Sequence, residues 1–426
     1  MRMLAALLLA SALAAAQTPE ARDLAPRLER MLTDNILKFW HPQTLDREHG
    51  GYRLNHDERG AWKGDAPKAL VTQARMVWFF ARMARAGYGD RKQMIEAADH
   101  GYRFLMERMR DPRHGGFYWR VDATGLKPLA PKKHLYGQSF ALYALSEFAM
   151  ASGRRDVREE AVRLFELLEE KAHDRQHGGY LEFFNEDWSL PPPEERGYMS
   201  AGPGMKLMNT HLHLMEAMTS FYRATGLPLA RERLIELITI EGSAVVRRQW
   251  GACSDRHLRD WTAVLDGPGG RASYGHDLEN IWLLEDALRA AGLPVEPWLE
   301  FFRQNFEYSM RYGWDARDGG FWDWGPLGKP AESRVKVWWV QAECLYGLAR
   351  LAEEADSTYL EPAARLWEWI RTRQLDAQFG GWFEAIGDDG QPVDDCVKGH
   401  RWKAMYHETR GLLYSARSLR RMVARA

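Results

Sequence analysis

Cysteine is scarce in this chain: Cys253, Cys344 and Cys396 are the only three in 426 residues. They are widely spaced and none belongs to a CxxC motif, so the sequence encodes no disulfide framework and does not fix a pairing for a single bridge. An excess of charge is missing too. Lys and Arg number 58 against 59 Asp and Glu, a net charge of −1, which points to neither nucleic acid nor a membrane surface as a partner. Long apolar runs are absent beyond Leu4–Ala16. That run begins after Met1-Arg2-Met3, ends in Ala14-Ala15-Ala16 before Gln17, and is too short to span a bilayer. It predicts a signal peptide over residues 1–16 and a secreted or periplasmic protein. No Ser/Gly/Pro-rich linker interrupts the rest of the chain, so residues 17–426 read as one domain. What the chain has in quantity is aromatic: 18 Trp, 16 Tyr and 17 Phe. Trp is hard to bury completely and its N–H needs a partner. Such an excess suits either stacking on the apolar faces of sugar rings or a large core with many aromatic wedges.

A short signature recurs every 60 to 75 residues or so, the mark of a repeat architecture. It reads His49-Gly50-Gly51-Tyr52, His114-Gly115-Gly116-Phe117, His177-Gly178-Gly179-Tyr180, Asp318-Gly319-Gly320-Phe321 and Phe379-Gly380-Gly381-Trp382, with a degenerate copy at Trp250-Gly251-Ala252-Cys253. Between these turns, apolar residues recur at three- and four-residue steps. The pattern predicts helices over 20–39, 66–86, 91–109, 133–152, 156–172, 203–225, 229–248, 274–291, 294–311, 333–354, 357–373 and 402–423. Each glycine turn comes after an odd-numbered helix and before an even-numbered one. Six helical hairpins close naturally into two concentric rings. The expected fold is therefore all-α, an (α/α)6 barrel with short β-like hairpins in its loops, and the more apolar even-numbered helices form the inner ring.

Residues able to do chemistry gather near the starts of the even-numbered helices: Arg75; Asn209, His211 and His213; His276 and Glu279; Trp338, Trp339 and Glu343; Trp402 and His407. Asn209 and His213, and Trp339 and Glu343, stand four apart; His276 and Glu279 stand three apart. Each pair shares a helix face, and in an alternating barrel these faces converge on one mouth. Against this, His211 falls on an apolar stripe and reads as a core histidine, and His49, His114 and His177 read as turn residues. The two Glu could serve as buried partners of Arg or Trp N–H groups. For a metal, a helical di-iron site requires two Glu-x-x-His motifs, and His276-x-x-Glu279 is single and reversed. No His-Glu-x-x-His occurs. The reading is an enzyme without metal or cofactor.

At these residues the chain resembles the N-acylglucosamine 2-epimerase superfamily, most closely its cellobiose 2-epimerase branch. The resemblance rests on Met208-Asn209-Thr210-His211-Leu212-His213-Leu214-Met215-Glu216-Ala217, Tyr274-Gly275-His276-Asp277-Leu278-Glu279, Lys336-Val337-Trp338-Trp339-Val340-Gln341-Ala342-Glu343, and Trp402-Lys403 with Tyr406-His407. It implies the same barrel and an isomerase that interconverts the glucose and mannose configurations at C2 of the reducing end of a β-1,4-linked disaccharide. It implies acid/base roles for His276 and His407. His213, Arg75, Glu279 and Asn209 would line the reacting sugar, Trp339 and Trp402 would stack on it, and Tyr118 would sit at the mouth. It implies a small sugar as the only partner of a monomer or weak dimer. The sequence departs from the family pattern at Glu279-Asn280-Ile281-Trp282 and at Met405-Tyr406-His407-Glu408-Thr409. Three other readings compete: an aldose–ketose isomerase acting on mannose, an (α/α)6 glycosidase or lyase using Glu279 and Glu343 as its carboxylate pair, and a non-catalytic sugar-binding protein.

Overall fold

The computed structural model describes residues 19–394 and 396–425; the expected signal peptide, residues 1–16, lies outside the described residues. Among the described residues, twelve helices of ten residues or more succeed one another: α1 Pro19–Arg30, α2 Leu70–Ala86, α3 Arg91–Phe104, α4 Leu135–Ser152, α5 Arg155–Lys171, α6 Met208–Thr225, α7 Pro228–Thr239, α8 Tyr274–Ala291, α9 Leu299–Gly313, α10 Trp338–Glu354, α11 Leu360–Trp369 and α12 Tyr406–Arg425. The even-numbered helices pack in series, α2 on α4 on α6 on α8 on α10 on α12, and contact between α12 and α2 closes the ring. The odd-numbered helices lie outside it. The architecture is the expected (α/α)6 barrel.

Burial separates the rings. In α4, sixteen of eighteen residues are buried, and the helix has no polar face. A helix apolar all round belongs inside a core. In α5 only Val157, Ala161, Leu164, Phe165 and Leu168 are buried, one stripe at helical spacing with charge on the other side. Helices α2, α4, α6 and α8 each end on a left-handed glycine (Gly87, Gly153, Gly226, Gly292), which meets no Cβ penalty there.

Four of the inner helices begin well after their periodicity predicts, at Leu70 rather than 66, Met208 rather than 203, Trp338 rather than 333 and Tyr406 rather than 402, while α8 begins at 274 as expected. At three of these starts the preceding residues form strands instead, each pairing with the hairpin of the next repeat: Lys68–Ala69 with Arg120–Val121, Lys206–Leu207 with Arg256–His257, Val335–Val337 with Ala385–Gly387. Helix α7 runs on through a π-helical turn, Ile240–Ala244, and ends short of 248, where Val246–Arg247 pairs with Ala252–Cys253. Neighbour pairing overrides local preference in such short strands.

One device fixes every turn but one. Asp46, four residues before Gly50, bonds Lys68, two residues before α2; the ammonium also donates to the Gly50 carbonyl. Gln73 of α2 then accepts from the Tyr52 N–H and donates to the Tyr52 carbonyl. Asp111–Lys133, Asp174–Lys206, Asp315–Lys336 and Asp376–Lys398 repeat the ion pair. Gly51 has φ +68, and a Cβ there would come within 2.6 Å of the Gln73 side-chain oxygen Oε1, so no other residue fits. At the degenerate turn Arg247 stands in the Asp place and Ala272 in the Lys place. The carboxylate and the ammonium of the pair are replaced together, so neither is left buried without the other, and the Arg247 guanidinium donates to the Ala244 carbonyl.

Candidate functional site

The starts of the inner helices converge as the periodicity predicts. His213 of α6 is buried, with Nδ1 3.1 Å from a Glu216 carboxylate oxygen and its ring 4.8 Å from Phe140 and 5.4 Å from Tyr136. From α8 and α12, His276 and His407 pack against the same indole: their ring centroids lie 4.6 and 5.6 Å from that of Trp339. Arg75 of α2 donates to the Trp402 carbonyl at 3.3 Å and to the Tyr136 hydroxyl at 3.1 Å, and its guanidinium covers the Tyr406 ring at 4.6 Å. Asn209 of α6 donates from Nδ2 to the Tyr198 hydroxyl at 3.2 Å, and Tyr198 packs beside Trp402.

Beneath these groups lies a buried charge network. Glu343 accepts from His407 Nδ1 at 2.7 Å and from the Trp282 indole N–H at 3.1 Å, and Arg410 donates to the oxygen that His407 uses. Burial pushes the Glu343 carboxyl up, and the pull of Arg410 opposes that rise. The same Arg410 holds Glu279 and Glu216, and Glu216 also accepts from the Tyr406 hydroxyl. With Nδ1 of His407 committed to Glu343, Nε2 is its proton-accepting nitrogen. Glu279, Glu343 and His407 offer ligand atoms within 4.8 Å of one another, and the Arg410 guanidinium sits among them as the local cation.

Burial sets the electrostatics. His276 is lowered to about 4 by burial, which the nearby Glu279 only partly offsets. His407 is driven well below its ordinary value by burial and then by Arg75 and Arg410. Burial works against ionisation of Glu216 as well, but Arg410 and His213 outweigh it and hold its carboxyl at about 2. At neutral pH the site therefore presents two uncharged imidazoles above Glu216, Glu279 and Glu343, which Arg410 holds together.

Nine of the ten residues singled out in the sequence lie in this constellation: Arg75, Asn209, His213, His276, Glu279, Trp339, Glu343, Trp402 and His407. Tyr118 does not. Its hydroxyl donates to Asp111 at 3.3 Å and its ring covers the Lys133 ammonium of the second turn. Successive residues of an extended segment point opposite ways, and it is Trp119 that packs beside Trp402 and Tyr198, at 5.9 and 6.0 Å. His211 takes the place that Gln73, Gln138 and Gln341 hold in other repeats, accepting from the Tyr180 N–H at 2.9 Å. His211→Gln is expected to leave kcat/KM unchanged and to move the thermal midpoint by a few degrees at most; an activity loss like that of His213→Gln would contradict this placement.

Sequence reasoning missed Arg410, Glu216, Tyr406, Tyr136 and Tyr198. Two of them carried a signal: Glu216 is three residues after His213 and Arg410 three after His407, each on its histidine's face. Tyr198 carried none, because its loop folds over the mouth with Met199 and Ser200 both at positive φ, +51 and +60.

All three cysteines are buried and free. Among the described residues no helix is long and apolar enough to cross a membrane.

Comparison with known proteins agrees with this fold. The family model described as N-acylglucosamine 2-epimerase (GlcNAc 2-epimerase) matches residues 50–410. A cellobiose 2-epimerase of Ruminococcus albus is 31% identical over 398 residues, covering 90% of this chain and 96% of that protein. The structure of a cellobiose 2-epimerase from Spirochaeta thermophila superposes with a TM-score of 0.85 at 34% identity, over 95% of this chain and 98% of the other. A D-mannose isomerase of Marinomonas mediterranea is 25% identical over 89% of this chain and 94% of its own.

Proposed function

The chain belongs to the N-acylglucosamine 2-epimerase family, and from that premise we propose that it is a carbohydrate 2-epimerase acting at the reducing end of a cellobiose-like disaccharide. One observation carries the reading: two uncharged imidazoles, the half-buried His276 and the buried His407, come from different helices to the same indole. Inverting a carbon needs a proton removed on one side and returned on the other, and two bases on separate helices suit that task.

The sugar ring would first open, with a proton moved from O1 to the ring oxygen by an imidazole. One histidine would then take the C2 proton. The resulting enediolate carries its charge on O1 and O2, where Arg75 and the His213 imidazole would stabilise it in a site largely closed to water. The second histidine, protonated from solvent once the first holds the C2 proton, would give that proton to the opposite face of C2, and the first would release its proton to water, restoring two neutral imidazoles. Trp402 and Trp339 would stack on the sugar. Asn209 would exchange its bond with Tyr198 for one to a sugar hydroxyl. A cavity of about 230 Å³, lined by His276, Trp339, Trp324, Arg256 and Met199, leaves room for a second ring, which favours a disaccharide over free mannose.

Incubation with cellobiose, lactose, mannobiose and mannose in D2O, then proton NMR, tests the proposal. The expected product is the 2-epimer of a disaccharide with deuterium at C2. Fructose from mannose would replace it with the aldose–ketose isomerase reading, new reducing ends would indicate a hydrolase, and binding without exchange would indicate a sugar-binding protein.

The same burial sets the pH dependence. A base lowered from 6.5 to about 4 stays deprotonated, and competent, until pH falls to that value. The acid limb of kcat/KM is therefore expected near pH 4 to 5. A limb at 6.5 or above, measured in the same exchange assay, would contradict neutral buried bases.

A further inference from the structure

The barrel has a second opening. At the end opposite the histidines, the C-terminal halves of all six inner helices enclose a cavity of about 460 Å³. Eight arginines and six carboxylates line it. The negative ends of six helix dipoles explain why arginine gathers here, and most of these arginines hold carboxylates: Arg85 with Glu147, Arg223 with Asp286, Arg350 with Glu285, Arg421 with Glu353. Those pairs leave a remainder. Arg417 of α12 lines the cavity with no carboxylate partner among the described residues, and the cations nearest in effect are Arg82 and Arg421, which with burial lower its affinity for its own proton. The Nε of Arg82 is buried without a hydrogen-bond partner. Tyr143, Tyr346 and Tyr414 also face this space, and none of their hydroxyls is hydrogen-bonded to a described protein group.

We propose that this cavity is a second ligand site, for a small phosphate-bearing molecule, and that its occupancy is felt by the catalytic network. An unpaired guanidinium flanked by further guanidinium groups matches a phosphate, whose oxygens accept their planar N–H forks. The tyrosine hydroxyls and the Trp282 indole would receive the body of the ligand. The wall between the two ends is one residue thick. Glu216 lines this cavity and bonds His213 and Arg410; Trp282 lines it and donates to Glu343, which holds His407. An anion here would raise the proton affinity of the imidazoles above it.

Titration calorimetry on the whole protein with inorganic pyrophosphate and with glucose 6-phosphate tests the site without reference to activity. Saturable binding of at least one probe is expected, weakened tenfold or more in Arg417→Met and several-fold in Tyr414→Phe, a milder change that guards against misfolding of the first. No heat at millimolar concentrations, or binding unaltered in both variants, would overturn the site. The coupling, which rests on the epimerase reading, has its own readout: with probe bound, the acid limb of kcat/KM moves to higher pH in the wild type and stays fixed in Arg417→Met. Binding with an unmoved limb would overturn the coupling, and absence of epimerisation would leave the calorimetric result standing.

Discussion

His276→Asn and His407→Asn are each expected to slow exchange of the C2 proton with D2O by about 10²–10⁴-fold, the range for losing a positioned acid or base. The fold should survive both changes. His276 makes no ion pair, and asparagine at 407 can still offer an N–H to Glu343. The two variants should also differ from each other. When one base is lost the other can still remove the proton from the epimer that presents it, so each variant should exchange deuterium into one epimer faster than into the other. Proton NMR on both epimers reads this. Equal, wild-type-like exchange in either variant would take that residue out of the chemistry, and loss of both reactions alike would place it in ring opening instead.

Arg410→Met is the second large effect. Arg410 is fully buried and holds Glu216, Glu279 and Glu343. Removing it leaves three carboxylates in the barrel without their shared cation. Breaking a buried ion pair from one side costs about 3–5 kcal/mol, and here three pairs share one partner. The expectation is a fall of at least that size in unfolding free energy by denaturant titration, with activity lost in whatever folds. Adding Glu279→Gln should recover part of the loss, since one uncompensated charge goes with it. Additive effects of the two changes would contradict a direct interaction.

Much of the architecture is readable in the chain. The glycine turns carry the period, and the period carries the hairpins and the rings. Even the ion pairs behind the turns leave a trace: Asp46–Lys68, Asp111–Lys133 and Asp376–Lys398 are each 22 residues apart. Nine of ten candidate residues converge because inner helices that start at one end must present their first turns together. The failures have specific causes. Tyr118 and Trp119 differ by one position in an extended segment, and which of them faces inward is set by pairing across repeats. Arg410 reads as an ordinary helix-surface charge, since arginine is seldom fully buried; only the three carboxylates, brought from α6, α8 and α10, give it a place. The short strands before the inner helices are decided by partners about 50 residues away.

Closure of the ring has a consequence for how the enzyme comes into being. Glu216 and Arg410 meet across 194 residues of chain, and α12 brings the guanidinium together with Tyr406 and His407. A nascent polypeptide that has formed its first five hairpins holds the carboxylates and lacks the cation that makes them tolerable. That barrel would stay loose at its centre until α12 docks, so the closing step and the arrival of catalytic competence should be one kinetic event.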